Sequence, residues 1–108
     1  MVSIVITAYN VEQFIEQAIR SCLAQSFMDI ECIVVEDCST DATARIIEQA
    51  ENSDKRVRVI KNEKNLGAGA SRRKGIEAAK GEYILLLDGD DWLNEDFGNL
   101  APVIYGGK

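Results

Sequence analysis

The stretch EYILLLDGDDWL, residues 82–93, is a short apolar run that breaks off into Asp88, Asp90 and Asp91, three carboxylates within four positions. A continuous apolar run of this length has the pattern of a strand covered on both faces, as in a parallel sheet. Three like charges that close repel one another and resist desolvation, so the cluster is costly unless a cation or hydrogen-bond donors offset it. What precedes the strand decides the fold, and what surrounds its end decides the chemistry.

Three similar runs come earlier: VSIVITAY (2–9), IECIVV (30–35) and VRVI (57–60). Helical patterns lie between them. Asn10 and Gln13 give a start resembling a capping box, after which Phe14, Ile15, Ala18, Ile19, Cys22 and Leu23 recur at helical spacing. STDATARIIEQA (39–50) carries Ser, Thr and Asp at its start. NLGAGASRRKGIEAAKG (65–81) opens with glycines, turns helical through Ala70, Ile76 and Ala79, and stops at Gly81, a natural residue for the position after a helix. Strands alternating with helices predict an α/β fold, a Rossmann-like parallel sheet with helices on both faces. Ligands of such sheets sit at the carboxyl ends of the strands. Thr7 to Asn10, Glu36 to Ser39, Asn65 to Gly69 and Asp88 to Asp91 all gather at that edge.

The totals narrow the chemistry. A chain of 108 residues is one domain at most, with room for a real core. A net charge of −6 argues against a general binder of nucleic acid or anionic membrane, although Lys61, Lys64, Arg72, Arg73 and Lys74 cluster locally. The absence of histidine removes every mechanism built on a Ser-His or Cys-His pair or a histidine-bound metal. Cys22, Cys32 and Cys38 lack paired metal spacing and leave one unmatched in any disulfide scheme, which predicts three free thiols, two of them in the core, and a reducing, cytoplasmic setting. Neither a signal peptide nor a transmembrane span is expected.

Asp88-Gly89-Asp90 sets two carboxylates around a glycine that lets a ligand or another backbone approach. Oxygen ligands alone suit a hard cation such as Mg²⁺ or Mn²⁺. The other reading is that these aspartates cap the following turn. Glu36 and Asp37 either accept hydrogen bonds from a base or sugar or form an acidic turn ahead of a helix. NLGAG lacks the Lys-[ST] ending of a Walker A loop. Arg72, Arg73 and Lys74 cannot all face one way on a helix. Trp92 is expected to pack, while Tyr9 either packs or stacks on a base.

As a set, VSIVITAYN, IECIVVEDCSTDAT and NLGAGASRRKGIEAAKGEYILLLDGDDWL resemble the nucleotide-sugar-binding half of family 2 glycosyltransferases, which have the GT-A fold. The resemblance runs to about Asp96. It implies a donor-binding subdomain over residues 1–96, followed by a short tail over 97–108 in place of the acceptor half, so that the fold is a truncated, N-terminal half of GT-A. It implies a nucleoside diphosphate sugar, usually a UDP-sugar, bound at the carboxyl edge. Thr7, Ala8 and Tyr9, with Glu12 nearby, match the segment against the base, and Asp37 matches the acidic residue that contacts uracil. Arg72 matches the arginine of the family's A-R-N-x-G stretch, with Gly67 in the loop before it. Asp88 matches the carboxylate near the ribose, with Gly89 beside it, and Asp90 the one that holds Mn²⁺ or Mg²⁺ on the diphosphate, a task Asp88 and Asp91 could share. The implied reaction is inverting, metal-dependent transfer to an acceptor hydroxyl.

The chain departs from the family where Thr7 replaces proline, Glu36 replaces aspartate, Cys38 replaces glycine and Arg73 replaces asparagine. No residue matches the family's catalytic base, which implies either a fragment of a longer enzyme or a short chain that binds its donor without turning it over. A non-catalytic nucleotide-binding or self-associating module of the same fold is the alternative, pairing as a homodimer through surface that the missing half would cover. A phosphatase of the haloacid dehalogenase type would open with its LLLDGDD-like motif, and a receiver domain would carry its acidic pair after the first strand, so neither order fits.

Overall fold

The computed structural model describes residues 1–25 and 29–93 together with the backbone of 105–106. Four parallel strands, β1 (Val2–Ala8), β2 (Ile30–Glu36), β3 (Val57–Lys61) and β4 (Tyr83–Asp88), alternate with α1 (Ile15–Leu23), α2 (Thr43–Ser53) and α3 (Ala68–Ala78). The sheet order is β3-β2-β1-β4-β5, where β5 (Tyr105–Gly106) lies antiparallel to Tyr83 and Ile84 of β4. This antiparallel strand is not anticipated by the sequence pattern. Otherwise the 97–108 tail and the boundary at residue 96 lie outside the described residues.

The alternation of side chains along each strand sorts the core into two layers. Ile4, Ile6, Ala8, Cys32, Val34, Leu85 and Leu87 face one side with Ile15, Ala18, Ile19 and Cys22 of α1 and Ile47 of α2. Val5, Ile33, Val35 and Ile84 face the other with Ile76 of α3 and Ala79 just beyond it. The sheet is therefore covered on both faces, as the continuous apolar runs require. Helix α3 comes close because Gly75 has no side chain: a Cβ there would lie 2.2 Å from Val5 Cγ1.

The order in which strands are added reverses at β1, which is flanked by β2, leading out to β3, on one side and by β4 on the other. Thr7 stands opposite Val35 on one side and Asp88 on the other, and Ala8 opposite Glu36. The crevice beyond these strand ends is the topological switch point of the sheet.

Three local expectations are corrected. Asn10 does not cap α1; it takes a left-handed φ of 50° and binds the neighbouring turn instead, and the helix begins at Ile15 without a side-chain cap. Gly81 does not end α3, which gives way to extended backbone at Ala79. Its lack of a Cβ serves packing, since one would lie 2.6 Å from Met1 O and 2.7 Å from Ser3 Oγ. Trp92 is not packed away but 51% exposed.

The amino end of the sheet is held by a polar staple. Glu31, 6% exposed, accepts from Ser3 Oγ and the Lys80 N–H, both at 2.6 Å, and from Arg58 Nη1 at 3.1 Å. The three cysteines are free thiols, Cys22 and Cys32 buried and Cys38 exposed. A hydrogen bond with Cys22, together with burial, pushes the Cys32 thiol well above its ordinary range. Among the described residues no helix is long and apolar enough to cross a membrane.

Candidate functional site

At the carboxyl edge the β1–α1 and β2–α2 turns are stitched together. The Asn10 N–H donates to Ser39 Oγ at 3.0 Å, the Thr40 N–H donates to Asn10 Oδ1 at 2.8 Å, and the Val11 N–H donates to Thr43 Oγ1 at 2.9 Å. Glu36 turns inward, its Oε1 accepting the Ser39 N–H at 2.7 Å, so the acidic-turn reading holds for this residue. Cys38 follows at φ 62°, a left-handed conformation that favours glycine, in line with its departure from the family pattern.

Asp37 organises the next loop. Its Oδ1 accepts from Asn62 Nδ2 at 2.9 Å and the Leu66 N–H at 2.8 Å, and its Oδ2 from the Gly67 N–H at 2.9 Å. Burial alone would raise this carboxyl, but the donors from Leu66, Asn62, Gly67 and Ser71 outweigh it and hold the group below the ordinary carboxylate range. Gly67 has open space where a Cβ would go; its φ of 90° is what calls for glycine as the chain enters α3.

Around this carboxylate lies a pocket of ≈ 270 Å³ lined by Thr7, Ala8, Tyr9, Asp37, Asn65, Gly67, Ala68 and Ser71. Five of the residues singled out in the sequence, Thr7, Ala8, Tyr9, Asp37 and Gly67, are thus brought together. Tyr9 is 46% exposed and does not pack into the core. Asn65 and Ala68 lie in the 65–69 segment expected at this edge, whereas Ser71 was not legible as a lining residue, although its i, i+3 spacing from Ala68, with Gly75 following at i+4 against the sheet, marks the face of α3 that it shares.

The carboxylates after β4 stand beside this pocket rather than in it. The Gly89 N–H donates to Thr7 O at 2.8 Å and the Asp91 N–H to Asp88 O at 3.0 Å, closing a turn. Gly89 lets that backbone approach, since a Cβ would lie 2.8 Å from Thr7 O and 3.1 Å from Val11 Cγ2. Asp91 Oδ1 accepts the Trp92 N–H at 2.9 Å, a local capping bond. Asp88 and Asp90 are exposed, and their carboxylates have no hydrogen bond or ion pair among the described residues. Solvent therefore keeps the cost of the charge cluster low. No three acidic or thiol side chains form a ligand group among the described residues. Two free carboxylates suit a hard cation whose other ligands are water and phosphate oxygens.

The remaining residues fall elsewhere. Glu12 lines a shallower depression of ≈ 680 Å³ between α1 and Trp92–Leu93. Its charged lining includes Arg20 and Glu16, an exposed pair already satisfied at 3.0 Å. Arg72 is half-buried without a partner among the described residues, Arg73 is exposed, and Lys74 Nζ donates to Asn62 Oδ1 at 2.9 Å. Only Lys74 of the three basic neighbours is tied to the network beneath the pocket.

The family model for glycosyl transferase family 2 matches residues 3–104. The chain belongs to glycosyl transferase family 2. An uncharacterized glycosyltransferase of Haemophilus influenzae is 42% identical over 96 residues, which is 89% of this chain and 38% of the relative. The succinoglycan biosynthesis protein ExoO of Rhizobium meliloti is 44% identical over 95 residues, 88% of this chain and 27% of the relative. Among solved structures, S. aureus TarS 1-349 in complex with UDP superposes with a TM-score of 0.84 at 34% identity, covering 93% of this chain and 30% of that one. The Rossmann-like sheet with helices on both faces is thus the fold of a GT-A relative. The family 2 chain described here spans 38% or less of the length of each of these proteins.

Proposed function

We propose that this chain is the donor-binding part, residues 1–96, of an inverting, metal-dependent glycosyltransferase that uses a nucleoside diphosphate sugar, with UDP as the nucleotide. The observation that carries this reading is the pocket built on Asp37 at the switch point, next to two carboxylates that no group among the described residues neutralises. The UDP complex of TarS, at 34% identity, supports the choice of nucleotide.

In this reading Thr7, Ala8 and Tyr9 receive the base, with Tyr9 offering its exposed ring for stacking. Asp37 and Gly67 fix the wall opposite, Glu12 borders the entrance, and the Arg72 guanidinium, without a partner among the described residues, meets the diphosphate. Asp88, seated on the Gly89 turn, faces the ribose, and Asp90 holds Mn²⁺ or Mg²⁺ with help from Asp88 or Asp91. When bound, that ion offsets the charge that builds on the departing diphosphate. The attacking hydroxyl belongs to the acceptor, and the base that would deprotonate it matches no residue of this sequence. The three free thiols favour a cytoplasmic setting.

Calorimetric titration with UDP, in Mn²⁺ and then in EDTA, tests this on the wild type and Asp90→Ala. Binding is expected only with metal and at least tenfold weaker in the variant, in keeping with loss of a charged contact of about 1.5–3 kcal/mol. Binding that ignores both EDTA and the substitution would refute the metal assignment, and sugar transfer by this chain alone would refute the division of labour. A second reading, a self-associating module, is favoured by one observation: β5 pairs only with Tyr83 and Ile84, so the described residues leave the outer edge of β4 from Leu85 onward without a neighbour.

A further inference from the structure

A chain of three side chains runs from the surface of α3 to the carboxylate beneath the pocket. Asn62, just beyond β3 and 5% exposed, donates from Nδ2 to Asp37 Oδ1 at 2.9 Å and to Ser71 Oγ at 3.0 Å. Its Oδ1 accepts from Lys74 Nζ at 2.9 Å, and its backbone N–H donates to Glu36 O at 2.8 Å. An amide is nearly symmetrical in shape, but an ammonium has only donors, so Lys74 obliges the Asn62 carbonyl to point outward and both amide protons inward. A buried amide is costly unless its partners are made, and here they come from two other segments, Asp37 after β2 and Ser71 and Lys74 on α3. The outcome is a joint between the ends of β2 and β3 and the first two turns of α3.

We propose that Asn62, oriented by Lys74, is a positioning residue for the pocket: it fixes Asp37 and Ser71 in the geometry that lets Asn65, Gly67 and Ala68 line the site. The identity of the ligand rests on the donor-binding reading above, while the joint itself does not. Neither Asn62 nor Lys74 touches the pocket. Both act through Asp37, whose two oxygens hold the Leu66 and Gly67 N–H groups at 2.8 and 2.9 Å. The ionisable side chains on the surrounding segments are Tyr9 after β1, Glu36 and Cys38 beside Asp37, Lys61 at the end of β3 with Glu63 and Lys64 after it, and Arg72, Arg73, Lys74 and Glu77 on α3. Of these, Lys74 alone among the described residues donates to Asn62.

The test uses the whole chain as wild type, Lys74→Met, Lys74→Arg and Asn62→Leu. In the ligand-free protein the Asp37 carboxyl is titrated by carbon NMR. Lys74→Met is expected to move its titration upward and Lys74→Arg to restore it; an unmoved titration in Lys74→Met would overturn the proposal. UDP affinity is then expected to fall about three- to tenfold in Lys74→Met at unchanged melting temperature, the scale of one weakened hydrogen bond, and to recover in Lys74→Arg. A loss of affinity that simply follows a loss of melting temperature, with no recovery in Lys74→Arg, would show a structural role only and would also overturn it. Asn62→Leu is expected to exceed Lys74→Met in both readings if it folds, and the surface variant decides the matter if it does not. Should the wild type bind no UDP, the donor-binding reading fails by itself, and the carboxyl titration with the exchange rates of the Leu66 and Gly67 amides still decides on Asn62 and Lys74.

Discussion

Cys38 occupies a backbone conformation that few residues with a Cβ accept. Its φ of 62° places it in the left-handed region, where a side chain crowds the following carbonyl at a cost of about 1 kcal/mol. Its thiol recovers little of this, reaching only Glu63 O at 3.6 Å from an exposed position. Cys38→Gly is therefore expected to stabilise the chain by about 0.5–1 kcal/mol despite the greater freedom of glycine in the unfolded state, raising the melting temperature by roughly 2–6 °C. Differential scanning calorimetry measures this directly, and a lower melting temperature would mean that the thiol contact outweighs the backbone strain. Here the sequence was informative, because a position that often holds glycine stood out when it held cysteine. It was less informative for Asn62, since a lone asparagine after a strand has no signature, and only tertiary contact with Asp37, Ser71 and Lys74 reveals its place. Gly89 shows a third case. Its glycine was read as admitting a ligand or another backbone, and the structure shows the second, the Thr7 carbonyl of the neighbouring strand.

Among the elements, strands were legible and helix ends were not. The strands read as mostly apolar runs because both faces of the sheet are covered, so burial itself writes the pattern, broken where Ser3, Glu31 and Arg58 join in the polar staple. Helix starts depend on where a few polar side chains find partners, and Asn10 found Ser39 and Thr40 across the crevice rather than its own helix. The strand ends also depend on Glu31, which ties β1, β2, β3 and the α3–β4 connection through Ser3, Arg58, Lys80 and, by way of Ser3, Gly81. Burial would raise its carboxyl, but the Ser3, Lys80 and Arg58 donors outweigh that and lower it below the ordinary glutamate value. A carboxyl depressed in the folded state adds stability above its unfolded pKa and loses it as pH falls through the folded one. Wild-type stability should thus decline from about pH 5 downward, through the acid range in which glutamate takes up its proton. Glu31→Gln should lose about 2–3 kcal/mol at pH 7, the scale of losing hydrogen bonds to a charged group, and should show a shallower decline in acid. Urea denaturation of both proteins from pH 7 to 3 checks it, and parallel curves would remove Glu31 from the acid response.

At the scale of the whole molecule the two edges of the sheet are treated differently. On the β3 edge, Glu51 Oε2 accepts the Val59 N–H at 3.0 Å and Lys61 pairs with Glu48, so helix α2 shields the strand and charge blunts it. On the β4 edge, Leu85, Leu86 and Leu87 follow an exposed Tyr83, and the described antiparallel partner reaches only the first two residues of the strand. Unpaired N–H and C=O groups beside apolar side chains are a template for another strand. A second copy presenting the same edge would pair with it about a two-fold axis, which makes an antiparallel, closed dimer the expected product rather than an open chain of copies. Light scattering after size exclusion is expected to show a dimer that grows with concentration, and Leu86→Lys, which puts a charge on the half-buried side chain of that edge, should push it back to monomer. Because Leu86 packs against the α3 layer, the variant must first be shown to melt cooperatively. A wild type that stays strictly monomeric at the highest attainable concentration would mean that the β4 edge is closed within the chain, and the self-associating reading would fall while the donor-binding one stood.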